Sequence, residues 1–199
     1  MTNVTGEIVK VFLLPGGTLP QRKSEGAVGY DVCIRAITSF HEKDSGNPHA
    51  WKTLFDFVSM PPDPEILTHV ERPKNRDNLA YRLNPRESVS VGLGFIVEMP
   101  FPVFYELHPR SGYCIRDGIQ ITDPLTLMND NVVVDPDYRG ESGATVHNLS
   151  EKPFFLERGT GIAQIIFRKA VIPEFLLVES PDALSKTNRG RRGLGSTGR

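Results

Sequence analysis

The chain reads as an all-β protein of the sandwich or jelly-roll kind, and three observations carry that reading. Sixteen prolines and eighteen glycines are spread through its 199 residues and interrupt every long apolar run. Between them lie short stretches rich in Val, Ile, Phe and Thr, the residues that suit a pleated, half-buried surface. Across 88–98, Val89, Val91, Leu93, Phe95 and Val97 alternate with smaller or polar residues. That is the period of two expected of a strand with one face in a core. No internal repeat competes with a single-domain reading.

In chain order the expected strands are 7–14 (EIVKVFLL), 30–37 (YDVCIRAI), 88–98, 103–108 (VFYELH), 131–135 (NVVVD), 144–149 (ATVHNL), 153–157 (PFFLE), 162–170 (IAQIIFRKA) and 174–178 (EFLLV). Two regions break the pattern. The stretch 39–78 is polar, holds several prolines and carries His41, His49 and His69. Within it Trp51, Leu54, Phe55 and Val58 fall at helical spacing, so a short amphipathic helix is expected in a surface insertion packed on the β-domain. The three histidines share no metal-ligand spacing and read as solvated loop residues. The C-terminus, KTNRGRRGLGSTGR, is basic, glycine-rich and almost free of apolar side chains, so it cannot order itself by burial. It reads either as a loose tail or as a strap that closes on an anion, because arginines and exposed amides suit phosphate. The expected division is a β-domain over 1–185 followed by this tail over 186–199.

Composition limits the function classes. At 39% hydrophobic and 24% charged residues the chain matches an ordinary globular domain. Its formal net charge of -1 gives no average field favouring nucleic acid, so any anion site must come from a local cluster. No stretch approaches the length of a membrane span. The N-terminus lacks the pattern of an export signal, so a cytoplasmic or nuclear place and reduced thiols are expected. Cys33 and Cys114 belong to no C-x-x-C pair, which disfavours a structural zinc and leaves a disulfide between them open.

Two short motifs carry chemistry. HPRSG at 108–112 places Arg110 and Ser111 in a turn after an apolar strand, where a guanidinium fork and a hydroxyl can hold phosphate oxygens. VVVDPDYRG at 132–140 sets two acids around a proline, then an aromatic, an arginine and a glycine. Each alone is an ordinary turn, the acids capping backbone amides. No G-x-x-x-x-G-K-[ST] is present, so a P-loop is excluded.

Taken with AVGYD at 27–31, GIAQIIF at 161–167 and RGRRGLGSTG at 189–198, these segments resemble, in order, the five motifs of the trimeric dUTPase family. The resemblance runs from about Ile8 to the C-terminus, apart from 39–78. It implies a distorted jelly-roll barrel and a homotrimer whose active sites are each built from more than one chain. It also implies hydrolysis of dUTP to dUMP and pyrophosphate with Mg2+ on the triphosphate. Carried over, Asp135 is the base that orients and deprotonates the attacking water, a role that needs a carboxylate beside a polarised water. Tyr138 packs under the deoxyribose and leaves no room for a 2′-hydroxyl. Asn129 stands at the base of the hairpin that reads uracil. Arg110, Ser111, Gly112 and Gln164 match phosphate-contacting positions. Asp31 is the acid associated with hydrated magnesium, an ion that keeps most of its waters. Arg189, Leu194, Ser196 and Thr197 lie in the closing tail. The partners implied are dUTP and two further copies of the chain, with neither nucleic acid nor membrane.

The chain departs from the family pattern at three places. Leu194 stands where the tail usually carries an aromatic that stacks on uracil. Thr160 and Gly161 replace an acid and an arginine before IAQ. Val132 replaces a glycine, and the loop 118–128 is longer than usual. Two rivals remain. The dCTP deaminases share the fold but need a glutamate at the position of Thr145, and zinc deaminases need a P-C-x-x-C that is absent. A non-catalytic nucleotide-binding protein on the same fold is the other.

Overall fold

The computed structural model describes residues 6–40, 51–74, 76–110, 125–128, 132–188 and 190. Nearly all regular structure in it is β. Five strands, β1 (Lys10–Leu13), β2 (Tyr30–Cys33), β3 (Ala36–Phe40), β4 (Trp51–Phe55) and β5 (Val70–Glu71), lead to β6 (Ala80–Leu83), β7 (Ser88–Gly92), β8 (Phe95–Glu98) and β9 (Val103–Pro109). The chain ends through β10 (Leu125–Leu127), β11 (Val132–Val134), β12 (Gly143–Asn148), β13 (Phe154–Leu156) and β14 (Gly161–Lys169). Helical structure among the described residues is confined to two 3-10 turns, Pro64–His69 and Pro181–Ala183. No helix there is long and apolar enough to cross a membrane.

The strands form four sheets: β1-β8, β10-β12-β7-β3-β4, β11-β9-β14-β2 and β13-β6-β5. Among the described residues they do not close into a single barrel. The core lies between the five- and four-stranded sheets. Each strand contributes alternate side chains to it: Val89 and Val91 from β7, Val103, Tyr105 and Leu107 from β9, Ala144 and Val146 from β12, Ile165 from β14.

The alternation across 88–98 is real, since Val89, Val91, Leu93, Phe95 and Val97 are all buried. It nevertheless spans two strands. Leu93 and Gly94 turn the chain, with φ of 77° at Gly94, and β8 leaves the five-stranded sheet to pair with β1. The expected strand 30–37 divides in the same way. Ile34 donates to the Thr160 carbonyl and Arg35 to the Gly92 carbonyl, so the chain steps from one sheet to the other between β2 and β3. Period alone cannot show such a corner, because the side chains stay on the inner face of whichever sheet they join. Phe95 is fully buried at this corner. Phe95→Ala is expected to cost about 3–5 kcal/mol, out of a total stability of about 5–15 kcal/mol for a domain, read as a lowered urea midpoint at unchanged m-value.

Expectations for two segments need correction. The helix expected from Trp51, Leu54, Phe55 and Val58 is instead β4, paired with β3, followed by a turn in which Asp56 accepts from the Val58, Ser59 and Met60 amides. Burial opposes that carboxylate's charge, but these bonds and one from Ser59 hold its pKa down to about 2. A free edge on β3 and a local acid that captures three amides outweigh a four-residue helical pattern. The segment 39–78 is thus partly woven into the sheets, and Leu54, Phe55, Phe57 and Ile66 are buried in the core cluster. His69 is not a free loop side chain either: it stacks on Tyr81 at 5.2 Å and lies 3.3 Å from Glu87. His41 and His49 lie outside the described residues. The second correction concerns 174–178, which forms no strand. Phe175, Leu176 and Leu177 are 95%, 88% and 95% exposed.

Candidate functional site

Three of the expected site residues meet at one end of the four-stranded sheet. Asp31 on β2 is level with Gln164 on β14, and Gln164 with His108 on β9. Their side chains share the face opposite the core, because their neighbours Val32, Ile165 and Leu107 point inward. Arg110 follows directly on β9. Its Nη2 is 3.1 Å from Asp31 Oδ2, and its Nη1 donates to the Gly161 carbonyl at 3.3 Å. Gln164 Nε2 donates to the Pro109 carbonyl at 3.1 Å, and its oxygen lies against Gly29. Asp31 is 15% exposed and Arg110 38%. The guanidinium is therefore within reach of a solute while part of its charge is already met.

Gly161, at one of the departures from the family pattern, lies against Arg110. A Cβ there would stand 2.6 Å from Arg110 Nη1, so a side chain would have to push the guanidinium aside. With glycine, Arg110 lies across β14 and reaches Asp31. Next along the same face, Glu106 accepts from Arg168 and pairs with His108 at 3.1 Å. Arg168 holds the Glu106 carboxyl below its usual range, against burial and with help from His108.

The hairpin residues stand elsewhere. β11 pairs with β9 through Val134 and Tyr105, and Asp135 follows at its end, exposed. The chain then turns, the Tyr138 amide donating to the Asp135 carbonyl at 3.2 Å. Arg139 ties the turn by donating to the carbonyls of Pro136 and Tyr138 at 2.6 and 2.9 Å. Tyr138 is 39% exposed, and its hydroxyl donates to the Glu141 carbonyl at 3.2 Å. This fold-back requires glycine at 140, where a Cβ would stand 2.2 Å from the Tyr138 hydroxyl. Beneath the hairpin, Tyr105 shares a 2.6 Å bond with Ser142 Oγ. Burial pushes the Tyr105 hydroxyl up to about 12, so it stays protonated and structural.

The register fixes how far apart the two groups are. Val134 is level with Tyr105 and the antiparallel chain carries Asp135 one residue the other way, whereas Arg110 lies five residues past Tyr105, just beyond the end of β9, so the two are six positions apart. At about 3.3 Å per residue this is roughly 20 Å. A reaction in which base, water and phosphorus must approach within about 3–3.5 Å cannot span that gap. The expected site residues therefore fall into two separate groups on one chain: an Asp31–Arg110–Gln164 notch and an Asp135–Tyr138 turn.

Ser111, Gly112, Asn129, Arg189, Leu194, Ser196 and Thr197 lie outside the described residues. So does Cys114, while Cys33 is a free thiol. Sequence reasoning passed over Arg139, Arg35 and Glu141, all of which shape the hairpin. Arg139 and Glu141 stand in or beside the DPDYRG motif and could have been singled out as turn-capping groups. Nothing in the sequence joins residue 35 to residue 141.

Comparison with known proteins bears on the family and the fold. A family model described as dUTPase matches residues 78–198. A deoxyuridine 5′-triphosphate nucleotidohydrolase of Caldanaerobacter subterraneus is 38% identical over 116 residues, covering 58% of this chain and 72% of that protein. The enzyme of the same name from Corynebacterium diphtheriae is 36% identical over 117 residues, 58% of this chain and 71% of its own. Among solved structures, a mutant dUTPase of Staphylococcus bacteriophage 80alpha with dUpNHpp aligns over all of both chains with a TM-score of 0.62 at 18% identity. A mutant dUTPase of phage phi11 of S. aureus, described with a structural Mg(II) ion, aligns over 87% of this chain and 97% of its own, with a TM-score of 0.57 at 15% identity. These structural likenesses support the fold.

Proposed function

The chain belongs to the dUTPase family, and from that premise we propose how it hydrolyses dUTP to dUMP and pyrophosphate. The carrying observation is the pairing of two complementary part-sites about 20 Å apart on one sheet: the notch offers a cation and an amide to phosphate, and the hairpin offers a carboxylate and an aromatic ring. Asp135 accepts the proton of the attacking water as its oxygen bonds to phosphorus at the α–β junction, and the P–O bond to pyrophosphate breaks. Tyr138 lies under the deoxyribose, and Asn129 reads the base. Arg110, Ser111, Gly112 and Gln164 hold the phosphates. Chemistry of this kind depends on positioning and charge neutralisation, and needs no protein nucleophile.

Magnesium fits the donor set. Among the described residues no three His, Cys, Asp or Glu side chains gather as a metal cage. Asp31, a single carboxylate beside the phosphate-facing Arg110, suits an ion held mainly by phosphate oxygens and water. Such an ion would neutralise the triphosphate, and Asp31 would hold it through a water; through its pair with Arg110, Asp31 orients the guanidinium.

The active enzyme in this reading is a homotrimer in which the hairpin of one copy meets the notch of another. Two observations support it: the distance between the part-sites, and the apolar segment 171–178, whose Val171, Phe175, Leu176 and Leu177 a lone chain leaves in water. The tail 186–199 closes on the nucleotide through Arg189, Ser196 and Thr197. Leu194 covers the base without aromatic stacking, a contact worth roughly 1–3 kcal/mol per base. Leu194→Phe is expected to lower KM for dUTP severalfold; an unchanged KM and turnover would show that the tail does not use this position.

Incubation with magnesium and dUTP, dCTP, UTP or dTTP tests the whole reading. Pyrophosphate from dUTP alone is expected. Ammonia from dCTP would make the chain a deaminase, against the hydroxyl of Thr145, 3.4 Å from Ser90 Oγ, where a carboxylate would be needed. Turnover of no nucleotide would leave a binding protein.

A further inference from the structure

Three turns that carry the chain between sheets converge on one buried ion pair. They are Ile34–Arg35 between β2 and β3, Leu93–Gly94 between β7 and β8, and the turn 135–142 between β11 and β12. Arg35 Nε and Nη2 donate to Glu141 Oε1 and Oε2, both at 2.8 Å, with the side chains 10% and 9% exposed. The Gly94 amide donates to Glu141 Oε1 at 2.9 Å, and Arg35 Nη2 also reaches Thr53 Oγ1 on β4 at 3.1 Å. Glu141 is thus held by a two-pronged fork and a backbone donor, a geometry that fixes orientation as well as distance. The carbonyl of this same residue receives the Tyr138 hydroxyl. Tyr138, Glu141, Arg35 and Thr53 line one cleft of about 890 Å³.

We propose that Arg35 and Glu141 are positioning residues that set the pitch of the Tyr138 ring and thereby the discrimination against ribonucleotides. This rests on the reading of Tyr138 as the surface under the deoxyribose. The ring has two attachments, its own backbone in the hairpin turn and its hydroxyl on Glu141. The second is only as rigid as Glu141, whose backbone lies in the same turn but whose side chain is anchored to the crossovers of the fold. Thr53 extends the anchor to β4, so the 39–78 segment bears on the site through Arg35.

Selectivity separates this role from a merely structural one. The readout is kcat/KM for dUTP divided by kcat/KM for UTP, together with the melting temperature. Glu141→Gln places an amide N–H against the guanidinium and leaves the buried arginine charge uncompensated. Arg35→Lys keeps the charge but loses the fork, and Tyr138→Phe removes only the hydroxyl's bond. Each is expected to lower the ratio about fivefold, the effect of one hydrogen bond of ordinary net strength, chiefly by admitting UTP. Should Glu141→Gln not fold, the other two variants decide. Wild-type ratios in Arg35→Lys and Tyr138→Phe, with only a lowered melting temperature in the former, would overturn the proposal. Tyr138→Ala distinguishes the two levels. If it collapses the ratio while the three variants do not, the ring gates the sugar without help from the pair. If it too leaves the ratio unchanged, the sugar-gate reading falls, and this proposal with it.

Discussion

Asp135→Asn is expected to lower kcat for dUTP by about 10²–10⁴-fold, the usual contribution of a positioned general base, while nucleotide binding stays near its wild-type value. The reason is local. Asp135 is exposed at the end of β11, and among the described residues no side-chain bond of its carboxylate contributes to the turn; the turn is held by the Tyr138 amide on the Asp135 carbonyl and by Arg139. Asparagine keeps the shape and the carbonyl oxygen but cannot accept the water's proton. Pyrophosphate release and calorimetric titration with a non-hydrolysable dUTP analogue measure the two halves separately. Turnover within a fewfold of wild type would remove Asp135 from the role of base. Lost binding would mean that the carboxylate serves to hold nucleotide.

The second large effect is recovery of activity on mixing two dead proteins. Arg110→Ala empties the notch and Asp135→Asn disables the hairpin, and each homotrimer is expected to be inactive. Co-expressed or co-refolded in equal amounts, the chains assort into mixed trimers. A site that takes its hairpin from one copy and its notch from another is intact with probability one half for each part, so about a quarter of sites recover under closed cyclic assembly. If both part-sites came from the same chain, no mixture could combine an intact Asp135 with an intact Arg110, and activity would stay at the level of the single variants. The prediction depends on the register of β11 against β9, which separates Asp135 from Arg110 by about 20 Å. Sedimentation or light scattering on the same samples shows whether trimers formed.

Both experiments draw on residues that were legible before any coordinates. Asp31, Arg110, Asp135, Tyr138 and Gln164 each sit in a short motif whose order along the chain is informative, and motif order is a property of sequence. The β character was legible too, since alternation and turn residues are local. The strand expected at 174–178 failed because strand propensity describes a surface waiting for a neighbour, and none of the described strands lies beside it. The helix expected near Trp51 failed for the converse reason: the edge of β3 was available, and pairing with it outweighed a local period.

The sequence by itself determined the all-β class, the family resemblance and which side chains can do chemistry, because these depend on residue type and on spacing over a few positions. The tertiary structure alone decided where strands change sheets, how far Asp135 stands from Arg110, why Gly161 suits an arginine lying across it, and that Arg35 meets Glu141. Each of these joins residues tens of positions apart through backbone pairing and close packing. No local rule encodes such contacts, since they exist only once the sheets have closed on a common core.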